Sequence, residues 1–593
     1  MQNTQQAMAT TDRRFVLLAS MAAGTIIVGC ASPLDSQIGN SKLGNLSHLL
    51  GEDIDIERGV SVVVQGIPGD IEEALVNRMS ELDAITPIGL EMEWPSQINT
   101  SIGNTTLSTI TVTVEEAIQS AITNNLDLKL ARLEPAISKE SLTQAEAVFD
   151  FLFSGSATNR AVKIPQQQSI FGGVPFGASE SVSDVQEYEA SLAKKLNSGG
   201  TITLSTTLSK TDSETPGFTF DPNPSWKSVG TIDFKQPLLR GFGEKVALSE
   251  VKLAANATEK SKQDFRQSLH KLVTDTQTTY LQLALQWRVL QVQEWLLGEG
   301  QSIVEILELR RSYDTSEADY AQAVATVKQR AVDVITQQAV VQNASDQLKV
   351  LMNNPAAPIE STMVFCPTGE IEVEDIFLSL RDTILSAFEN RPDLQSLRIA
   401  VEDQTIRVEV AKNATLSQLD LRAQLSYYGL ESSSGDAYTE VFDGDYLNHL
   451  IGLSFEQPIG NRAAGAGYTS ARLQRVASIT AFNKGLQRAI LEVKEAMRNV
   501  ATSAELVSAN KSFRIAQAEN LRALQVEEET LSGLTPTFLN LKLQTQAGLA
   551  NARIAEFTSA VNFNTSLSAL YFAAGTTLEM HQVSLGDALL MDN

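Results

Sequence analysis

The sequence predicts an α+β membrane protein in which β-strands that could close into a barrel are joined to very long helices, all drawn from two related halves. Three observations carry this. The helical phrase AITNNLDLKLAR at Ala121–Arg132 returns as AFENRPDLQSLR at Ala387–Arg398, in register at Ala, Asn, Asp, Leu and Arg. Asp127 and Asp393 stand 266 residues apart, too far for a solenoid period, so the repeated unit is a whole half-chain. Each phrase is followed by residues alternating with period two, and then by a long helical tract.

At the N-terminus, Arg13 and Arg14 precede the apolar run FVLLASMAAGTIIV, which ends in Ile27-Val28-Gly29-Cys30. A basic start, a short apolar core and a small-residue cleavage site read as an export signal over 1–29, too short for an ordinary spanning helix. With Cys at the cleavage point it resembles a bacterial lipoprotein signal, which makes Cys30 the expected acylated first residue; a plain secretory signal is the alternative. Ala31-Ser32 follow, where inner-membrane lipoproteins carry Asp by family analogy, so outer-membrane delivery is expected. Cys366 then has no partner, and no disulfide is expected.

Residues 30–112 mix Gly, Pro, Asn and Ser around one β-like run, GVSVVVQGI, and are expected to form an irregular periplasmic arm. The first half, 113–352, opens at TVTVEEAIQSAITNN, where Thr113 and Glu116 offer a capping box. Next, Phe149, Phe151, Phe153 and Ala157 alternate with Asp150, Ser154, Ser156 and Thr158. After a linker at 353–380, the second half, 381–580, sets Leu419, Leu421, Ala423, Leu425 and Tyr427 against Asp420, Arg422, Gln424 and Ser426. Such alternation fits a strand with one apolar and one polar face, although a single strand would equally suit a soluble sandwich.

Both halves leave their strands through Gln-Pro and a Gly-rich turn, DFKQPLLRGFGEK and SFEQPIGNRAAGAG, with Pro237 and Pro458 closing the strand. Neither turn has phosphate-loop spacing. The tracts that follow run 76 residues from Pro237 to Tyr313 and 75 from Pro458 to Gly533. Matched helices of roughly 110 Å are therefore expected, at 1.5 Å per residue. Returning helices are expected at 316–352 and 536–572, with a tail at 581–593.

A formal charge of −25 argues against a nucleic-acid partner, which would call for a basic face. Beyond the N-terminus no run of 18 apolar residues occurs, so any membrane crossing must be made by strands. His48, His270, His449 and His581 are scattered, with no HExxH, CxxC or GxSxG arrangement. No enzyme, cofactor or metal site is expected.

In this order the residues resemble the outer-membrane efflux protein family, the TolC-like exit ducts, over about 113–580. The likeness rests on the doubled NN/NR-x-D-L helix, PLLRGFG and PIGNRAA at the strand exits, SEAD and GLTPTF at the tips, and the closing AAGTTLE. It implies a homotrimer whose strands form one shared outer-membrane β-barrel, continued by a long periplasmic α-helical barrel. It also implies passive conduction, with a periplasmic adaptor (membrane fusion) protein and an inner-membrane transporter of RND or ABC type as partners and outer-membrane lipid around the barrel. A type I protein-secretion or metal-efflux duct of the same fold, or a structural periplasm-spanning lipoprotein without a pore, is the alternative.

The resemblance places adaptor docking at the two helical tips, which here hold Ser316, Glu317 and Asp319, then Gly533, Leu534 and Thr535. Asp319 is the candidate for an acidic ring in the pore; Glu527, Glu528 and Glu529 could form another, or simply a solvated helix face. The first half holds 45 more residues between its Asp127 and Pro237 than the second holds between Asp393 and Pro458. That excess includes two alternating runs around Asn197-Ser-Gly-Gly200, with Tyr188, Ala190, Leu192, Ile202, Leu204 and Leu208 on one face. Four strands from the first half and two from the second are expected, eighteen in a trimer against the family's usual twelve, with long loops at 161–184 and 212–224. A hairpin outside a twelve-stranded barrel is the rival arrangement.

Overall fold

The computed structural model describes residues 61–64, 70–85, 97–99, 106–215, 219–313, 315–369, 373, 376–530 and 535–583. Cys30 lies outside the described residues, as do Gly533 and Leu534. No helix among those described is long and apolar enough to cross a membrane.

The segment expected to be irregular contains regular structure. It supplies strand β1 (Ser61–Val64), helices α1 (Asp70–Leu75) and α2 (Met79–Ile85) joined by a 3-10 turn, and strands β2 (Gln97–Asn99) and β3 (Thr106–Val112). The first half continues with α3 (Val114–Asn124), α4 (Leu126–Glu146), β4 (Phe151–Pro165), the small hairpin β5 (Ser169–Phe171) and β6 (Val174–Phe176), β7 (Glu180–Lys195), β8 (Thr201–Glu214) and β9 (Ser225–Pro237). It ends with α5 (Glu244–Ala247), α6 (Ser249–Arg310) and α7 (Glu317–Met352). Strands β10 (Val364–Pro367) and β11 (Ile376–Ser379) occupy the expected linker. The second half runs α8 (Leu380–Asn390), α9 (Pro392–Ala414), β12 (Gln418–Glu431), α10 (Ser434–Asp443), β13 (Tyr446–Glu456), α11 (Arg462–Thr530), α12 (Pro536–Ala574) and α13 (Thr577–Met580).

The linker strands explain why the arm is ordered: β1 pairs antiparallel with β11, and β3 pairs parallel with β10. Their backbone groups find partners only across more than 250 residues of sequence, which local reading cannot see. At the start of α3 the expected capping box is present. Thr113 Oγ1 accepts the Glu116 N–H at 3.2 Å, and the Glu116 carboxylate accepts the Thr113 N–H at 3.0 Å.

The two long helices are not matched to one residue: α6 has 62 residues and α11 has 69. At 1.5 Å per residue these are ~93 and ~104 Å. The difference arises at the strand exit. After β9 the chain makes a turn in which Gly241 (φ 86°) and Gly243 (φ 99°) adopt left-handed backbone, then the short α5, before α6 begins. Asn413 Oδ1 accepts the Gly241 N–H at 2.7 Å, and Gly243 N–H donates to the Ser198 carbonyl at 3.0 Å, so this turn is pinned to the foot of the sheet. After β13 only Gly460 and Asn461 take positive φ, and α11 starts at once.

Packing concentrates where short helices meet long ones. Trp287, Leu283 and Leu290 of α6, Val341 and Leu348 of α7, and Phe365 and Cys366 of β10 form one buried cluster. Trp287 Nε1 donates to the Phe365 carbonyl at 2.8 Å, so the largest buried side chain is also hydrogen-bonded. Burial pushes the free Cys366 thiol up to about 12, leaving it an inert packing group. A second cluster joins Ile384 and Ala387 of α8 to Val493 and Val500 of α11 and Phe563 and Leu570 of α12.

Candidate functional site: the sheet and the helical tips

Six strands form one antiparallel sheet in the order β13-β12-β9-β8-β7-β4. The first half therefore supplies four strands and the second two, and the β7–β8 hairpin is a member of the sheet and not a projection from it. Leu196 N–H donates to the Gly200 carbonyl at 2.8 Å to close its turn. A Cβ on Gly200 would lie 2.9 Å from the Lys235 carbonyl oxygen, so the turn needs glycine there. Phe149, counted with the first strand in sequence, sits instead in a 3-10 turn that ends α4. The flanks read as long loops are shorter, because β4, β7 and β8 extend into them to Pro165, Glu180 and Glu214.

Register makes the two faces of the sheet continuous. Phe153, Leu192, Leu204, Ile232 and Leu425 stand in one cross-strand row, and Leu421 faces Leu453 four pairs further along. The opposite face carries Arg422 with Asp233 at 2.7 Å, Lys235 with Asp420 at 3.3 Å, and Ser154 with Ser191 at 2.6 Å. One face is thus mainly apolar, with His449 opposite Leu425 and Lys194 opposite Ile202, and the other is polar and ionic. The edge strands β4 and β13 pair on one side only and run in opposite directions. Phe153 is 72% exposed and Ile451 77%.

At the first tip, Ser316 caps α7, its Oγ accepting the Asp319 N–H at 3.2 Å and donating to the Asp319 carboxylate at 2.6 Å. Glu317 is held in a bidentate pair by Arg311, with contacts of 2.9 and 2.7 Å. The hydrogen bond and charge of that guanidinium lower the Glu317 pKa. Arg311 also stacks 4.9 Å from the Tyr320 ring, and Tyr313 is 89% exposed. Sequence reading missed Arg311, which stands six residues before Glu317 across the turn.

At the second tip, Thr535 Oγ1 accepts the Phe538 N–H at 3.3 Å and Pro536 begins α12. Glu527, Glu528 and Glu529 leave α11 in different directions. Successive helix positions point about 100° apart, and Glu528 is bonded to Lys542 of α12 at 2.5 Å. Among the described residues no three His, Cys, Asp or Glu side chains are placed to hold a metal.

The doubled phrase of the sequence marks two kinks. In the first, Asn125 between α3 and α4 accepts the Leu128 N–H on Oδ1 at 3.0 Å and donates from Nδ2 to the Leu351 carbonyl at 3.0 Å. In the second, Arg391 between α8 and α9 donates to Asp393 at 3.0 and 2.8 Å and to the Ala573 carbonyl at 3.3 Å, and lies 2.7 Å from Glu492. Burial works against the Arg391 charge, but the two carboxylates outweigh it and raise its pKa. Burial likewise opposes ionisation of Asp393, and the Arg391 bond holds it below the usual carboxylate range.

The arm adds a contact absent from the sequence reading. Leu82 of α2 is fully buried against Ile515, Ala518 and Leu521 of α11 and Leu549 of α12. Lys511 with Glu72 at 3.3 Å, Arg78 with Glu519 at 3.3 Å and Arg522 with Glu81 at 3.7 Å flank it.

No protein-family profile and no curated protein matches this sequence. Solved structures do match. The chain is similar to the CmeC outer membrane channel of Campylobacter jejuni, with a TM-score of 0.58 at 17% identity over 86% of this chain and 96% of that one. A membrane protein from Pseudomonas aeruginosa matches with a TM-score of 0.56 at 16% identity, over 78% and 93% of the two chains. The outer membrane protein VceC of Vibrio cholerae matches with a TM-score of 0.54 at 15% identity, over 78% and 96%. At such identities the likeness is one of fold, and the fold is that of outer-membrane channels.

Proposed function

We propose that this chain is one protomer of an outer-membrane exit duct of the TolC-like type, a homotrimer that passively conducts substrates delivered by a periplasmic adaptor and an inner-membrane transporter. The observation that carries the reading is the sheet: one apolar face, one ionic face and two unpaired edges of opposite direction. Strands that cross lipid must close on themselves to satisfy their backbone. β4 of one copy and β13 of the next have the directions needed to pair. Three copies give eighteen strands, with the apolar face toward lipid and the Asp233–Arg422 and Lys235–Asp420 pairs toward the lumen. The shared order of kinked helix pair, strands, long helix and returning helix supports a duplicated half-chain, 113–352 and 381–580. Acylation at Cys30 would add an anchor to a chain already held by its barrel.

The test is extraction from outer membranes followed by electrophoresis and planar-bilayer recording. A heat-labile trimer that conducts ions is expected; a monomer without conductance overturns the duct. Mass spectrometry of the mature N-terminus checks the anchor, and an unmodified Cys30 removes it. The tips are proposed as the adaptor-docking and closing region, on their position at the turns of both helical hairpins. Charge reversal at Glu317 or Asp319 combined with substitution at Gly533 is expected to raise drug susceptibility while trimers persist. Unchanged susceptibility at normal expression would exclude these positions.

A further inference from the structure

The helix α10 connects β12 to β13 at the end of the sheet away from the long helices, and it folds back onto the apolar face. Its seat is built from small residues on that face. Ser228 Oγ donates to the Ala437 carbonyl, Gly230 lies under Val441, and a Cβ on Gly429 would collide with the Ala437 carbonyl. Ser228, Gly230 and Gly429 belong to the same face as Ile232 and Leu425 by strand alternation. Two more bonds fix the helix: Tyr438 Oη with Thr206 Oγ1 at 3.2 Å, and Leu430 N–H donating to the Glu440 carboxylate at 2.6 Å.

Seated over β9 and β12, α10 leaves a groove between itself and β7 and β8. The groove measures about 570 Å³ and is walled by Phe153, Leu192, Leu204, Ile232, Val441 and Phe442, with no charged side chain in its lining. Phe442 stands at the mouth, 86% exposed. We propose that this groove holds an acyl chain of a membrane lipid, clasped between α10 and the barrel wall. The inference rests on the duct reading, because that reading sets this face against lipid. Two features select the occupant. The groove is continuous with the membrane-facing surface, and its wall is mostly carbon with no charge, the hydroxyls of Thr206 and Tyr438 being bonded to each other. Beside the seated helix, this apolar lining would otherwise face a void.

The test uses the full trimer. Native mass spectrometry after exchange into lipid-free detergent should find phospholipid or lipopolysaccharide retained on wild-type protein. It should also find it on Leu453→Phe, a same-face control on β13. Ala190→Phe, which fills the groove from β7, should reduce retention ~10-fold or more, the scale of an overpacked apolar site. Wild-type protein can be tested independently of any variant, in vesicles of phosphatidylethanolamine carrying a diazirine on one acyl chain. Adducts should concentrate on peptides covering 190–206 and 438–442. Even labelling across the whole apolar face, retention of detergent only, or equal lipid on Ala190→Phe would overturn the groove. A trimer that conducts but retains no lipid overturns the groove alone; a chain that fails to enter membranes overturns the duct as well.

Discussion

The two kinks solve one geometric problem with different chemistry. Each must tie the break in a short helix pair to the end of a returning helix. Asn125 does so with a neutral amide that reaches the Leu351 carbonyl, while Arg391 reaches the Ala573 carbonyl with a cation and needs Asp393 and Glu492 to offset its burial. The returning helices end alike, on left-handed Asn353 and Gly575. At Gly575 a Cβ would lie 2.9 Å from the Asn390 backbone, so the tighter second kink requires glycine. A shared fold thus fixes the geometry of a contact and leaves its electrostatics free to diverge between halves.

The comparison is sharpened most strongly in the sheet, where the halves contribute four strands and two. Cysteines at Ile202 and Leu204, on the extra hairpin, are expected to resist a bulky aqueous thiol reagent in intact membranes, while one at Ser205 on the opposite face reacts from the lumen. Free reaction at both 202 and 204 would remove β7 and β8 from the barrel wall. Next in size is Arg391→Ala, which removes the Ala573 bond and the partner of Asp393 while Glu492 keeps Arg488 at 2.7 Å, and should cost about 2–3 kcal/mol in denaturant unfolding. Asn125→Ala loses a cap and one hydrogen bond and should cost about 1–2 kcal/mol; equal costs would break the contrast.

Acid sensitivity should centre on His270, with a further part from His581, whose pKa burial also lowers and which contacts Gln277 of α6 at 3.1 Å. His270 of α6 is buried with no hydrogen-bond partner on either ring nitrogen, and burial, aided by Arg266, lowers its pKa from 6.5 to about 4. Between those values the unfolded chain binds the extra proton, so the contribution is complete above pH 6.5 and declines as pH falls toward 4. The loss is about 3 kcal/mol per chain, from 1.36 kcal/mol per pKa unit. Thermal melts from pH 7 to 4 should show it, and His270→Met should flatten that limb. The smallest effect belongs to the first tip. Arg311→Ala breaks an exposed pair and should shift the melting temperature barely at all.

Much of the fold was legible because it rests on local patterns. Thr113 and Glu116 announced a cap, Leu419 to Tyr427 announced a strand, and the 45-residue excess announced the hairpin that β7 and β8 form. Illegible were contacts whose partners lie far away in sequence. β1 needs β11, β3 needs β10, and α2 needs α11, and none of these short runs states its partner. The helix α10 was not anticipated because its ten residues, with Ser, Gly and Asp at the start, are a short run between two strands. At the tips the cap residues were legible from type alone, whereas Arg311–Glu317 and Glu528–Lys542 depend on how each turn closes. The long helices were misjudged in length because both tracts were counted from the closing proline, and the turn at Gly241 and Gly243 with α5 takes up more residues than the turn at Gly460 and Asn461.

The seating of α2 bears on the order of events during synthesis. Glu72 and Arg78 meet Lys511 and Glu519 across 439 and 441 residues, so the arm leaves the ribosome long before the surface it covers exists. Contacts of such separation close late, after the loop entropy has been paid by other parts of the molecule. Leu82 must therefore wait in solvent, apolar and uncovered, until α11 and α12 have paired. The first segment made is among the last to dock, and a nascent chain halted before residue 511 would display it to any holdase or protease in the compartment.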